Sequence, residues 1–352
     1  MSYHDGWAAL HLQMPDRVPR TEYSLEFHSG LIRHLTGVDI NSGISPDEKR
    51  KAKIRIQKAL NFDFIWSTLT SKTVFEGRCT DMGHGVYQEN NADYRRQTSV
   101  FIDDPDTALR FDPWELYGEK DRSALTKEYN DHYERNIKAN DEAVNMTGIY
   151  ITCISGLIDI FGWDMLLTAA GTDPQAFGSL TDRYASWIFQ YFEALAESKA
   201  PVVMIHDDIV WTAGAFIHPD WYRRFVFPNY KRLFAPLHEA GKIIMFTSDG
   251  NFTEFIDDIA GCGINAFVME PMTDMARIAE KYGSTHAFVG NADTRILLSG
   301  SREAIRAEVK RCMDIGKKCP GFFMAVGNHI PPNTPLDNLL YYNDVYTEMS
   351  KR

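Results

Sequence analysis

Cysteine is scarce in this chain, and no two cysteines are spaced to act together. Cys79, Cys153, Cys262, Cys312 and Cys319 make five, an odd number without a CxxC pair. That pattern excludes a dense disulfide framework and a thiolate zinc knuckle, and a reducing cytoplasmic setting is expected, with most thiols acting as small buried apolar groups. Long hydrophobic runs are missing too. The most apolar stretch, Ile149 to Trp163, is interrupted by Asp159 and is too short to span a bilayer. The opening MSYHDGWAALHLQMPDR has no basic leader ahead of an apolar core, so no secretory signal is expected. Positive charge is in the minority: 37 basic against 48 acidic residues leave a net charge of −11. This argues against nucleic acid or an anionic membrane as the main partner. No Gly-rich phosphate loop is present, since Gly83-His84-Gly85 lacks the strand-loop-helix setting of a nucleotide fingerprint, and there is no serine nucleophile elbow. With no repeat, low-complexity tract or flexible linker, residues 1–352 are expected to form one domain.

What is present is a rhythm of short apolar runs that end in polar residues and glycine or proline. It is clearest from Lys242 onward, as KIIMFTSDGN, INAFVMEP, HAFVGNADTR and GFFMAVGNHIPPNTP. Each run has the length and the β-branched or aromatic content of a buried strand, and helical sequence follows the first three. Earlier runs extend the series. Arg17 to Tyr23 and Phe62 to Trp66 read as strands, as do Gly148 to Gly156 and Pro201 to Ile205. Strand beginnings at Arg17, Phe62, Gly148, Pro201, Lys242, Ile264, His286 and Gly321 number eight. Eight strands with intervening helices favour a single (β/α)8 barrel over a doubly wound sheet. Ser45-Pro46-Asp47-Glu48 carries a capping box and should start a helix that runs to about Asn61. A long insertion, Thr70 to Asp112, follows the second strand, with alternation in Thr98 to Ile102 that suggests one extra strand. Gly118 to Asn145 fits a solvated helix. In Phe177 to Ser198, Tyr184, Trp187, Ile188 and Tyr191 are spaced for one packed helix face.

In such a barrel the residues just past each strand converge on one cleft. Asp249, Glu270 and His329 each follow a strand. An aspartate, a glutamate and an imidazole are the number of protein ligands a catalytic zinc site uses. The same residues also admit structural roles: Asp249 as a helix cap, Glu270 paired with an arginine, and His329 in a loop. His206-Asp207-Asp208 ends the fourth strand. Its adjacent carboxylates cannot both point into the cleft, so one can orient His206 or a substrate hydroxyl while the other caps a helix or binds an arginine. Trp211, Phe216 and His218 follow closely and offer walls for an aromatic-sized pocket. Met82-Gly83-His84-Gly85 forms a tight loop that can carry His84 to the pocket or leave it exposed. Asn291 and Asp293 suit loop shaping.

The combination HDDI, HPDWYRRFVFPNYKRL, TSDGN, MEP, GNADTRILLSGSREAIRAEV and HIPPNTPLDN resembles the uroporphyrinogen decarboxylase superfamily. The resemblance covers most of the chain and is most specific from Pro201 onward. It implies a (β/α)8 barrel with one of two chemistries: cofactor-free porphyrinogen decarboxylation, or zinc-dependent methyl transfer involving corrinoid proteins. The RQAGRY motif of the decarboxylases is not here. The comparable region reads RVPRTEYSLEF, in which Arg17 and Arg20 remain. For the methyltransferase branch, TSDGN, MEP and GNH stand at the metal-binding elements, which would make Asp249, Glu270 and His329 the zinc ligands; Thr247 stands where that family often has histidine. A carboxylate and imidazole set is harder than a thiolate set and suits an oxygen ligand. The resemblance therefore implies a substrate-side methyltransferase moving a methyl group from a methoxylated aromatic compound to the cobalt(I) of a corrinoid (cobalamin) protein. His84, His206, Asp208, Trp211 and Phe216 would shape the substrate pocket, and Asp207 would tune acid-base behaviour. A homodimer is open, as are two other readings: a decarboxylase of a carboxylated ring compound, and a barrel that only binds a corrinoid protein.

Overall fold

The computed structural model describes residues 2–81, 86–88, 91–93 and 99–352. His84 lies outside the described residues. So does Thr98, the start of the suggested extra strand; residues 99–104, which follow it, are irregular and lead into the helix Pro105–Arg110.

Six parallel strands run side by side around the barrel: Thr147–Ile149, Val202–His206, Ile243–Ser248, Ala266–Met269, Ala287–Val289 and Phe322–Phe323. Val144–Asn145, just ahead of Thr147–Ile149, pairs with Phe64–Ile65. Residues 17–21 close the ring. Arg20 bridges Met324 in parallel on one side, and its carbonyl accepts from the Asp63 N–H at 2.8 Å on the other. The eight strand positions and the single (β/α)8 barrel expected from the sequence are therefore present, with an amino-terminal arm and an insertion after the second strand.

Strand alternation sorts the side chains into two layers. Val144, Met146, Val202, Met204, Met245, Ala266, Val268, Ala287, Val289 and Phe323 fill the barrel interior. Val203, Ile205, Ile244, Phe246, Phe267 and Phe288 point outward and pack under the helices. The outer layer includes Pro174–Glu197, whose Tyr184, Trp187, Ile188 and Tyr191 are buried, as their spacing predicts. Pro46–Ala59 begins at Ser45 with the capping box in place.

The third strand differs from its expectation. It starts earlier, at Val144, and ends at Ile149, because a helix takes over at Cys153. Cys153 to Gly156 are the first turn of that helix, whose Ile154 and Ser155 N–H groups are held by the buried carboxylate of Asp207. The apolar character that reads as strand is that of a helix buried on nearly all sides. Cys153–Thr172 is long and apolar enough to cross a membrane, yet 72% of its apolar window is buried inside the fold. Its backbone breaks at Gly162, where φ is 75°.

Candidate metal and substrate site

The inward alternation of each strand continues past its carboxyl end and lines the cleft. Val202 and Met204 face inward, so His206 does as well, whereas Asp207 keeps the outward parity of Val203 and Ile205. By the same count Met245 leads to Thr247 and Asp249, Ala266 and Val268 lead to Glu270, Met146 leads to Tyr150, and Phe64 leads to Trp66.

Three donors gather at the base of this cleft. Ligand atoms of His206, Asp208 and Asp249 lie within 4.8 Å of one another. His206 Nε2 is 3.3 Å from Asp208 Oδ1, and the Asp249 N–H donates to that same oxygen at 3.0 Å. The Asp208 N–H donates to Ser155 Oγ at 2.8 Å, which fixes the loop after the fourth strand. The His206 ring packs against Tyr150, with centroids 4.8 Å apart. Burial, with Asp208 and Glu270 nearby, pushes the Asp249 carboxyl well above the usual carboxylate range.

This is not the ligand trio expected from the sequence. Asp249 belongs to both sets, but Glu270 and His329 are not among the donors that lie within 4.8 Å of one another, and each is held by other partners. The Glu270 carboxylate accepts from the Gly250 N–H at 2.6 Å and from the Asn328 amide. Gly250 needs such an anchor, since it sits at φ 82° with Trp211 backbone atoms 2.7 Å from where a Cβ would lie. His329 Nδ1 is hydrogen-bonded to Ser24 Oγ, and its ring forms part of the cleft wall.

Asp207 is also placed differently from its expected acid-base role. It is fully buried on the outward side, accepting from Ile154 at 2.9 Å, Ser155 at 2.6 Å and the Tyr230 hydroxyl at 2.6 Å. Burial raises its pKa to about 7 against the pull of those bonds. It anchors a helix amino terminus and does not reach the cleft.

The pocket walls need a similar correction. Trp211 is 47% exposed on the short hairpin Val210–Trp211 with Gly214–Ala215, where it meets Phe216 and Trp163 at 5.4 and 5.6 Å. The cavity above His206 and Asp249, about 350 Å³, is lined instead by Tyr23, Phe27, Trp66, Tyr150, Met204 and Val268. Strand alternation could have found Trp66 and Tyr150, and Tyr23 ends the first expected strand, while nothing local marks Phe27. The Thr247 hydroxyl and Trp66 Nε1, both on residues lining this cavity, are buried without a hydrogen-bond partner among the described residues.

The donor set fits a zinc ion. One imidazole and two carboxylates leave a fourth position open; one edge, His206 Nε2 to Asp208 Oδ1 at 3.3 Å, matches the ~3.3 Å edge of a tetrahedron with ~2.0 Å arms, and all three ligand atoms lie within 4.8 Å of one another.

Proteins of known family are similar to this chain in sequence and fold. A uroporphyrinogen decarboxylase from Syntrophotalea carbinolica is 28% identical over 172 residues, covering 49% of this chain and 48% of its own length. One from Geobacillus thermodenitrificans is 31% identical over 167 residues, covering 46% and 45%. The chain thus spans about half the length of the curated relatives it matches. In fold it is similar to a methyltransferase from Methanosarcina mazei, with a TM-score of 0.65 at 18% identity over 97% of this chain and 96% of that one. A B12-independent methionine synthase from Shewanella sp. W3-18-1 gives a TM-score of 0.50 at 9% identity over 87% and 90%. The family model for uroporphyrinogen decarboxylase (URO-D) matches residues 137–349, from just ahead of the third strand to the last helix, and the chain belongs to that family.

Proposed function

We propose that this protein is a zinc-dependent methyltransferase that moves a methyl group from the oxygen of a methoxylated aromatic compound to the cobalt(I) of a corrinoid protein. The observation that carries this reading is the His206, Asp208 and Asp249 cluster, of which His206 and Asp249 line an aromatic-walled cavity with no lysine or arginine among its described lining residues. His206, Asp208 and Asp249 would hold the zinc; Glu270 and His329 would support and wall the site. The bound zinc supplies a Lewis acid for the negative charge that develops on the departing phenolic oxygen.

The chain's own groups do the rest. Asp208 and Tyr150 orient His206, and the Asp249 N–H holds Asp208. Tyr23, Trp66 and Tyr150 offer flat walls for the ring, and Met204 and Val268 keep water from the base. In the transfer, the methyl C–O bond breaks with its electron pair left on oxygen. The methyl carbon bonds to cobalt, which goes from cobalt(I) to methylcobalt(III), and the phenolate takes a proton from solvent.

Decarboxylation of a polycarboxylate finds less support. Arg17 is paired with Asp63 and Asp5, and Arg20 is 1% exposed and paired with Glu22, so neither arginine faces the cavity. A ring bearing several carboxylates would meet Asp249 there and no lysine or arginine among the described lining residues.

The test is metal analysis joined to an assay in which cobalt(I) corrinoid protein and methoxybenzenes are followed by the optical change to methylcobalt(III). About one zinc per chain and an oxygen-methyl donor used in preference to its thioether are expected. His206→Ala should lose zinc and slow transfer by more than ~100-fold, while His329→Ala keeps its zinc. Zinc lost from His329→Ala but retained in His206→Ala would restore the other ligand set. A metal-free protein that decarboxylates a ring compound would overturn the reading.

A further inference from the structure

A second cavity adjoins the first. It measures about 220 Å³, and Tyr23, Ser24, Trp66, Tyr150 and His329 line both. Beyond those shared walls it is lined by the polar Glu26, Gln57, Ser67 and Thr68 alongside the apolar Leu25, Ile56, Phe62 and Ile65. Tyr23 and Trp66 stack at 4.9 Å with ring planes 26° apart, and so present aromatic surface to both chambers.

The two glutamates of this chamber differ in state. Glu22 is already satisfied: it accepts from Arg20 at 3.1 Å, from the Val326 N–H at 2.9 Å and from the Tyr342 hydroxyl at 2.7 Å. Glu26, half-buried on the turn Leu25–Phe27, enters no ion pair or hydrogen bond among the described residues. Lys53 of the neighbouring helix places its ammonium over the Phe27 ring, 4.8 Å from the centroid. Neither chamber has a lysine or arginine among its described lining residues.

We propose that this second chamber receives a cationic ammonium group. The substrate would then be a methoxylated aromatic amine, its methoxyl-bearing ring in the larger cavity and its ammonium beside Glu26. A cation placed there gains the Glu26 carboxylate and the aromatic surface of Trp66, Tyr23 and Tyr150, and its attraction to a ring strengthens as water is excluded. An anion of the same shape would face Glu26 at one end and Asp249 at the other. A neutral tail gains neither interaction. Which end of the ligand reacts rests on the proposed function, but the preference for positive charge rests on the chamber alone.

The experiment compares three ligands of nearly equal size with the zinc-loaded protein: para-methoxyphenethylamine, para-ethylanisole and para-methoxyphenylacetate. Titration calorimetry gives each affinity without any corrinoid. The amine should bind roughly tenfold or more tightly than the neutral ether, and the carboxylate weakest. In Glu26→Gln the ratio of amine to neutral affinity should fall toward one; Glu26→Asp, which retains the charge, should preserve most of it and serves if the first variant folds poorly. Carboxylate binding as tight as amine binding, or an unchanged ratio in Glu26→Gln, would overturn the proposal. Methyl transfer from neutral ethers without any charge preference would sink this inference alone, whereas amine selectivity in a protein that transfers no methyl group would sink the proposed reaction alone.

Discussion

Adjacent residues with similar side chains have different fates here, decided by strand parity. His206 reaches the cleft, Asp207 secures a helix from behind, and Asp208 returns to the cleft because the chain leaves the strand between them. Composition alone could not separate the two aspartates; the two-residue alternation of Val202 to Ile205 does so when it is carried one step beyond the strand. Asp159 shows the same dependence on surroundings. It lies on Cys153–Thr172 at 8% exposure, and burial raises its pKa to about 7, with Lys72 pulling the other way. The folded chain therefore binds this proton more tightly than the unfolded chain does. Stability from this group is highest below the ordinary carboxylate pKa of ~4 and is lost as pH rises toward about 7. Asp159→Asn should remove that loss. At pH 8 the variant should be more stable than the parent by roughly 1–4 kcal/mol, and near pH 4 the two should converge. Urea unfolding at both pH values checks this, and an equal gain at both would show that packing, not charge, is responsible.

At the scale of elements, the third strand is where sequence and structure part. Its inward residues, Met146, Gly148 and Tyr150, keep the expected alternation, but glycine stands in the middle for a steric reason. A Cβ on Gly148 would lie 2.2 Å from the Met204 carbonyl oxygen, so the third and fourth strands pack closer than any side chain allows. Gly148→Ala should force those backbones apart, at a cost of about 3 kcal/mol or more. His206 ends the displaced strand, so zinc affinity should weaken together with stability. A variant with the parent's melting temperature would show that the barrel yields there easily. Six of the other strands are legible because each is a short apolar run bounded by turn residues, whereas the first, RVPRTEY, is polar and carries the weakest signal; the capping box at Ser45 is legible because it is local. Cys153 to Gly156 read as strand because a helix buried on nearly all sides has little polar face to reveal its period. Asp249, His206 and Asp208 could be picked out as strand-end polar residues. The choice among partners could not, because it depends on Gly250 and Asn328 occupying Glu270 and on Ser24 reaching His329, and such contacts between loops leave no periodic trace.

For the whole molecule, closure of the barrel depends on joining its two ends. Residues 17–21 lie between the second and eighth strands, and Arg20 beneath them bonds to Glu22 at 3.1 Å and to Asn343 Oδ1 at 2.6 Å. Its guanidinium stacks over Tyr346 and Tyr342 of the last helix, Leu336–Met349, at 4.9 and 5.2 Å. With 1% and 0% side-chain exposure, Arg20 and Glu22 form an ion pair whose charges have both given up water. Removing one partner should therefore cost more than removing both. Arg20→Met leaves Glu22 as an uncompensated buried charge and should destabilise the protein by about 3–5 kcal/mol. Adding Glu22→Gln removes that charge while retaining acceptors and donors for Tyr342 and Val326, so the double variant should recover at least half of the loss. Because the pair sits where the first strand, the eighth strand and the last helix meet, unfolding should remain one cooperative transition in both variants, with an unchanged denaturant slope. A double variant no more stable than Arg20→Met would place the value of Arg20 in Asn343 and the tyrosine rings instead of in its charge. A separate early transition would mean that the closing strand can leave while the rest of the barrel stays folded.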